Sequence, residues 1–371
     1  MTERLHILHV IDQLAAGGAE RMVIEIANAT ERARYKPAIC VTRSNLTLAV
    51  FLNKDVKVFS LERHRRFSFK ALTLFGDFCR QENVRLLHIH GNSSFLFVAA
   101  AKALGKIPSS TALVIHEHNG EIKRFSFLYR QTLRWLNPVY AGVDSRLRDL
   151  ACAAGIPEAR AHFISNAIDF NRRAADKSGG DLADVKGKGL VGILLSNVRP
   201  VKNIEFFIRS AALIKEKKWI VVILGSLNDK SYVQTCRDEA RRLGLEDRIL
   251  FWGLRLDVAG LLKQADFGLL ASKTESGPLA LLEYAAAGLP FVSTRVGSIG
   301  KHLEQQGIPG FAEPGNELEF SEAIGKLLGL SPAERKQRGE LGLVKAREYF
   351  DIHKKMPEWE KIYLQALGTV S

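Results

Sequence analysis

Ala271-Ser272-Lys273-Thr274-Glu275-Ser276-Gly277-Pro278-Leu279-Ala280-Leu281-Leu282-Glu283-Tyr284-Ala285-Ala286-Ala287-Gly288-Leu289-Pro290 is the stretch from which this chain is best read. Its first residue closes a short apolar run, 267–271, that reads as a buried strand. Pro278 suits the first helical position, Gly288 the left-handed residue after the last turn, and Pro290 blocks any continuation. Strand, loop and helix in that order put the helix N-terminus at the carboxyl end of a sheet. Backbone N–H groups of Ser276, Gly277 and Leu279 then lack helical partners, which makes an anion site. Glu275 stands just before the helix, and Glu283 lies eight residues on, inside it. Glu275 could simply complement the helix dipole. Glu283 sits among Leu281, Leu282, Tyr284 and three alanines, where a carboxylate usually has a partner.

Outward from there the same alternation runs along the chain. Strand-like apolar runs at 5–10, 38–41, 56–61, 86–90 and 112–116 alternate with amphipathic stretches such as 19–29 and 95–104. Runs at 190–195, 219–224, 249–252, 267–271 and 291–294 repeat the arrangement, with a helical pattern at 204–214. Strands separated by helices imply parallel sheets covered on both faces. The fold class read from this is α/β, with two doubly wound, Rossmann-like domains. Residues 171–189 are polar, carry Ser178-Gly179-Gly180 and end Lys186-Gly187-Lys188-Gly189, the composition of a linker. The domains then span 1–170 and 190–352, and a last helix at about 353–371 is expected to pack back on the first. Ser331-Pro332-Ala333-Glu334 predicts a helix start with a capping serine, a first-turn proline and a glutamate reaching back.

The 371 residues, 46% apolar and 25% charged, suffice for sizeable cores and exclude a disordered chain. Apolar runs stop well short of the ~18 residues of a membrane span. The N-terminus lacks the basic segment, apolar core and cleavage site of a signal peptide. Cys40, Cys79, Cys152 and Cys236 show no Cys-x-x-Cys spacing, which argues against a disulfide scaffold and suits a reducing cytosol. Net charge is +13, and residues 1–170 hold roughly 23 basic against 15 acidic residues. Arg63-His64-Arg65-Arg66-Phe67-Ser68-Phe69-Lys70 and Lys123-Arg124-Phe125-Ser126-Phe127 pair basic with aromatic side chains. Such a patch either rests on an anionic membrane or is a solvated basic loop. No nucleic-acid reader motif accompanies it.

The 271–290 stretch resembles the EX7E signature of the GT-B glycosyltransferases, in particular the retaining family-four group of bacterial polysaccharide and glycolipid enzymes. Gly17-Gly18-Ala19-Glu20-Arg21 resembles that family's first glycine-rich loop, and Ile164-Ser165-Asn166-Ala167-Ile168-Asp169 its segment before the linker. Ser196-Asn197-Val198-Arg199-Pro200-Val201-Lys202-Asn203 resembles its basic phosphate motif. Trp252-Gly253, Asp257 and Ala265-Asp266 fit its approach to the signature. Several motifs in one order are a specific signal where one alone is weak.

The resemblance implies two domains facing a cleft, an acceptor domain followed by a nucleotide-sugar domain. It implies that Glu283 accepts from ribose hydroxyls and that Glu275 lies beside the donor sugar. Lys202 and the helix start at Ser276, Gly277, Pro278 and Leu279 would neutralise the diphosphate. Gly225 would belong to the same donor site, and Gly17 and Gly18 would meet the diphosphate or acceptor. Many members carry arginine where Asn197 stands; Arg199 either takes that phosphate role or is a surface residue before Pro200. The implied reaction moves a sugar from a nucleoside diphosphate, UDP first among them, to a glycan or lipid-linked acceptor with retention. Its place would be the cytoplasm, at the inner face of the plasma membrane if the basic patch binds lipid. A non-catalytic sugar- or nucleotide-binding partner subunit of the same fold is the alternative.

His88 and His90 end one predicted strand, and His116 and His118 end another. The family often has a histidine just after the corresponding strand, beside the donor sugar; His118 fits, with His116 in reserve. The His116-Glu117-His118 run lacks the His-Glu-x-x-His spacing of zinc-protease helices. The chain also has no Asp-x-Asp to hold a phosphate-activating metal. No metal or cofactor is therefore expected, and leaving-group charge falls to lysine, arginine and the helix terminus. Gly187-Lys188-Gly189-Leu190-Val191-Gly192 matches Gly-x-Gly-x-x-Gly but enters a strand instead of leaving one, which argues against a dinucleotide site.

Overall fold

The computed structural model describes residues 4–65, 68–120, 122, 124–175 and 181–368. The chain divides into two compact units, Met1–Ala167 with Ile352–Ser371, and Ile168–Asp351.

In the first unit the strands are β1 (Leu5–Ile11), β2 (Tyr35–Val41), β3 (Lys57–Ser60), β4 (Val84–His90), β5 (Ala112–Glu117), β6 (Val139–Gly142) and β7 (Ala161–Phe163). They pair in parallel in the order β3-β2-β1-β4-β5-β6-β7. β1 is buried on both faces from His6 onward, so its side chains show no period-two polar alternation even though it carries His6 and His9. The order reverses between β1 and β4, which puts a topological switch point at the carboxyl ends of those strands. α1 (Gly18–Ala29) packs Val23, Ile24 and Ala27 against Ile39 and Val41 on one face. α2 (Phe69–Gln81), α3 (Gly91–Ala103), α4 (Phe127–Leu136) and α5 (Ser145–Ala153) share a core on the other, around Phe75, Phe97, Tyr129 and Ala151. The C-terminal helix, Ile352–Ala366, lies against α1, β5 and β6.

In the second unit the strands are β8 (Leu190–Leu195), β9 (Trp219–Leu224), β10 (Ile249–Gly253), β11 (Phe267–Leu270), β12 (Phe291–Thr294) and β13 (Phe311–Ala312). Their order is β10-β9-β8-β11-β12-β13, with the switch point between β8 and β11. The helices are α6 (Phe170–Ala175), α7 (Ile204–Ala212), α8 (Lys230–Arg242), α9 (Val258–Leu262), α10 (Leu279–Ala286), α11 (Gly297–Gln305), α12 (Glu317–Leu328) and α13 (Pro332–Phe350). The Ser331–Glu334 capping box at the start of α13 is formed in both directions.

Two expectations are revised. Part of the 171–189 linker is built structure of the second unit: α6 packs on α10, and Leu182 and Val185 are buried. The apolar Phe170, Leu182 and Val185 are diluted by polar neighbours, which is why the segment reads as a linker; residues 176–180 lie outside the described residues. The basic-aromatic patch is smaller than expected. Arg63 is 3% exposed, donates to Asp12 (3.1 Å) and Thr42 (3.2 Å), and lies over the Phe97 ring. Phe125 is buried beside Tyr129. Phe69, Lys70, Arg124 and Phe127 do reach the surface, while Arg66, Phe67 and Lys123 lie outside the described residues.

Candidate functional site

The loops after β8 and β11 meet at the switch point of the second unit, and most of the expected site residues lie on them. One backbone bond ties them directly, from the Lys273 N–H to the Val201 carbonyl (2.9 Å). Beneath them the Tyr284 hydroxyl accepts from the Leu195 N–H and donates to the Leu269 carbonyl, both at 2.8 Å. Tyr284 follows Glu283 on α10, so this bond clamps the helix to both strands at the point where they part. Gly268 makes room for it: a Cβ there would lie 2.5 Å from the Tyr284 ring.

The loop after β8 turns through Pro200–Lys202 and reaches α7 by way of Asn203, whose φ of +56° is left-handed. The turn brings Lys202 Nζ to 2.5 Å from Glu275 Oε1, and the Ser272 hydroxyl donates to the same oxygen at 2.7 Å. Both charged side chains keep some exposure, 18% for Lys202 and 15% for Glu275. An ammonium has three donors, so Lys202 can hold Glu275 and still meet an incoming anion. Asn197 accepts from the Ser226 N–H at 2.8 Å, fastening the loop after β8 to the loop after β9. Gly225 allows that approach: a Cβ on it would lie 2.2 Å from the Ser196 carbonyl oxygen. Both residues thus shape the edge of the site. Arg199 is exposed beside them.

At the signature, the structure moves one position. Pro278 is the residue before α10, with φ −69° and ψ 102°, and the helix begins at Leu279. The proline ring fixes φ but leaves ψ free, so it serves as well just outside the first turn as inside it. Pro278 makes no side-chain cap bond to that turn, where the positive end of the helix dipole favours an anion. The Ser276 carbonyl accepts from the Ser298 N–H (2.8 Å) and hydroxyl (3.0 Å). Gly297, φ +71°, supports this seat, since a Cβ there would lie 2.6 Å from Pro278 Cδ. Glu283 is buried, and the Arg173 guanidinium of α6 stands 3.3 Å from its Oε1. Gly288 ends the helix region in the left-handed conformation, φ +65°.

In the first unit Gly17 and Gly18 open α1, directly after β1. The Gly17 conformation is extended, and a Cβ there would meet only the far end of the Glu20 side chain. His116 is fully buried under Trp359, with ring centroids 4.5 Å apart, whereas His118 keeps some surface and approaches His90 (3.2 Å). Sequence reasoning missed Arg173, hidden in the expected linker, and Gly297-Ser298, whose only sign is a glycine just after the strand 291–294. It also missed His9, Trp359 and Tyr363, which join the other histidines only through strand register and a distant helix.

Comparisons with known proteins agree with this architecture. Residues 16–172 match the family model described as Glycosyltransferase Family 4, and residues 189–329 the one described as Glycosyl transferases group 1. The chain is 31% identical over 176 residues to N-acetyl-alpha-D-glucosaminyl L-malate synthase of Bacillus anthracis, spanning 47% of this chain and 45% of that enzyme. It is 26% identical over 250 residues to UDP-Gal:alpha-D-GlcNAc-diphosphoundecaprenol alpha-1,3-galactosyltransferase of Escherichia coli, spanning 61% and 62%. The match thus covers less than two thirds of each of these relatives. The crystal structure of Anabaena HepE in complex with UDP-glucose superposes with a TM-score of 0.78 at 19% identity, over 96% of this chain and 100% of that one. At that identity the likeness is one of fold.

Proposed function

We propose a catalytic role from one premise: the chain belongs to the GT-B glycosyltransferases of the family-four type. It moves a sugar from a nucleoside diphosphate to a glycan or lipid-linked acceptor, with retention and without a metal. The nucleotide is UDP, a choice supported by the UDP-Gal in the name of the E. coli relative and the UDP-glucose bound by HepE. The lipid-linked acceptor is supported by the diphosphoundecaprenol in the former.

The Lys202–Glu275 pair beside the start of α10 carries this reading. Diphosphate oxygens take the remaining donors of Lys202 and the first-turn amides at Leu279, with Arg199 as the second cation. These groups are aimed where charge grows as the sugar–phosphate bond breaks, so they favour the transition state over the ground state. Glu275, pinned by Ser272, accepts from hydroxyls of the sugar, and Glu283 accepts from the two vicinal hydroxyls of the ribose. Gly17, Gly18 and His118 are the first unit's own candidates for substrate contact. The anomeric carbon exchanges its bond to phosphate oxygen for one to the acceptor oxygen on the same face. The acceptor proton leaves with the departing phosphate oxygen, so the protein supplies positioning and charge.

Contact with anionic lipid belongs to the same reading. Among the described residues no helix is long and apolar enough to cross a membrane. On α4, however, Phe127, Leu128 and Trp135 are more than half exposed beside Arg124, Arg130 and Arg134. A cavity of about 380 Å³ opens there between α4 and α5. Apolar and basic side chains together suit an interfacial helix. The deciding experiment is thermal shift with UDP-glucose, UDP-galactose and UDP-N-acetylglucosamine, followed by UDP release with lipid-diphosphate sugars as acceptors. Stabilisation and turnover by one donor are expected; no stabilisation by any and no turnover would refute the proposal.

A further inference from the structure

Arg173 belongs to no motif of the sequence, yet it stands against the residue assigned to the ribose. Its Nη2 lies 3.3 Å from Glu283 Oε1, and both side chains are buried. Both residues belong to the second unit. The other buried residues of α10 are Leu279, Leu281, Leu282, Tyr284 and Ala285, none of them charged. Taking two charges out of water is costly, and an apolar pair of similar volume is often as stable or more so. Packing alone therefore does not call for a carboxylate and a guanidinium at this contact, whereas recognition of a polar ligand does.

Arg173 is held firmly from its own side. Asp169 opens α6, accepting from the Arg172 N–H at its side chain (2.9 Å) and from the Arg173 N–H at its carbonyl (3.0 Å). The Ile168 N–H donates to the Phe350 carbonyl at 3.1 Å, and Ile168 pairs with Asp351 in a parallel bridge. Phe170, one turn before Arg173, is buried, and α6 packs on α10. The guanidinium thus stands on a fixed base, and its planar fork loses less freedom per bond than an ammonium on a flexible stem. An ionised carboxylate offers about four lone-pair sites, so a guanidinium at one oxygen leaves it able to accept from further donors. A glutamate that is already ordered loses less freedom when a ligand arrives, and more of the contact then appears as affinity.

We propose that Arg173 is a positioning residue for the nucleotide: it holds the Glu283 carboxylate in one orientation and so sets the preference of the site for a ribonucleotide over its 2′-deoxy counterpart. The inference rests on the proposed contact of Glu283 with the ribose hydroxyls. Arg173 touches neither sugar nor diphosphate in this scheme and acts only through Glu283. Two vicinal hydroxyls are both met only by a carboxylate turned toward both. A carboxylate free to swing meets one or neither, and then gains little from the second hydroxyl.

The test is isothermal titration calorimetry of the full chain with UDP and with 2′-deoxy-UDP, read as the ratio of the two affinities. One hydrogen bond to a charged group predicts a wild-type preference for UDP of about 10- to 150-fold. Glu283→Gln should lower that ratio and serves as the reference. Arg173→Met should bring the ratio down to about 3-fold or less, chiefly by weakening UDP, since the second hydroxyl no longer meets an oriented carboxylate. Arg173→Lys keeps a cation within reach of Glu283 and should restore most of the preference. A merely structural tie between α6 and α10 would lower Tm and weaken both nucleotides by one factor, leaving the ratio as it was. If Arg173→Met does not fold, Arg173→Gln, whose amide ends short of the Nη2 position and carries no charge, should give the same fall. A wild-type ratio retained in Arg173→Met or Arg173→Gln overturns the proposal and leaves the ribose contact standing. A wild-type chain that binds both nucleotides equally, or binds neither, refutes the ribose contact of Glu283 and the proposal with it.

Discussion

Lowering the pH from 7.5 to 5 offers protons to five imidazoles that the folded first unit keeps neutral. Burial holds His9 and His118 at about 3, and holds His88, His90 and His116 well below the ordinary value, with the neighbouring rings adding to the effect. In the unfolded chain each titrates near 6.5. The folded values are depressed, so below about pH 6.5 the unfolded chain binds protons that the folded one refuses, and stability falls as pH falls. At about 1.4 kcal/mol per unit, each of the two rings held at about 3 costs about 2 kcal/mol at pH 5, and His88, His90 and His116 act in the same direction. Glu117 opposes this. Burial pushes its carboxyl up to about 7, so the folded chain takes up that proton first and regains about 2.5 kcal/mol between pH 7 and 5. The two rings alone outweigh that gain, and the other three widen a net loss that is felt against the ~5–15 kcal/mol stability of a domain. Urea unfolding between pH 7.5 and 5, followed by circular dichroism and tryptophan fluorescence, should show the midpoint of the first unit collapsing. Trp359, against His88 and His116, reports on these rings. His116→Phe should recover part of the loss at pH 5, the share of one ring. A midpoint that does not move between pH 7.5 and 5.5, or an equal pH slope in His116→Phe, would refute the reasoning.

Glu283→Gln should weaken UDP binding by about 1.5–3 kcal/mol, the worth of a charge-assisted contact, and lower Tm because Arg173 keeps a buried charge; UDP affinity within error of wild type sinks the ribose assignment. Lys202→Ala should lower kcat/KM by ~10²–10³, and Arg199→Ala by a comparable factor if it faces the diphosphate; a wild-type rate for Arg199→Ala removes it from the site and leaves the charge to Lys202 and the α10 amides. Gly225→Ala drives a methyl into the Ser196 carbonyl and should cost about 1–3 kcal/mol in urea unfolding, with weaker nucleotide binding; an unchanged midpoint would show that the close approach is not needed. UDP release should persist in excess EDTA, and a strict need for magnesium or manganese would contradict the metal-free reading.

The long strands were legible because both faces of a parallel sheet are covered. Residues 190–195 and 219–224 run unbroken without a polar side chain and match β8 and β9. β7 and β13 were not, and the reason is size. Three residues at Ala161–Phe163 and two at Phe311–Ala312, each at the end of its sheet, carry no periodicity that could be told from a loop. α6 failed differently. Its inward residues, Phe170 and Arg173, are three apart as a helix requires, but an arginine among polar neighbours gives no hydrophobic pattern to find.

The same distinction governs the site. Spacing along one element says which side chains share a face, and that was enough to pick out Glu275, Glu283 and Gly288 around a single helix. It says nothing about which element lies opposite. Lys202 and Glu275 are joined because β8 and β11 are neighbours although α7, α8 and α9 intervene in the chain. Glu283 meets Arg173 for the same kind of reason. The histidine row is the clearest case. Each His-x-His pair was visible as two residues on one face, yet whether the pairs touch depends on register. A slip of one residue between β4 and β5 would turn one pair to the other face. The observed register sets His90 beside His116 and brings His90 Nδ1 to His118, and β1 on the other side supplies His9. A cluster whose members come from three strands is therefore a property of sheet order. That is why motif reading could name His118 as a candidate but could not see the rings packed beside it.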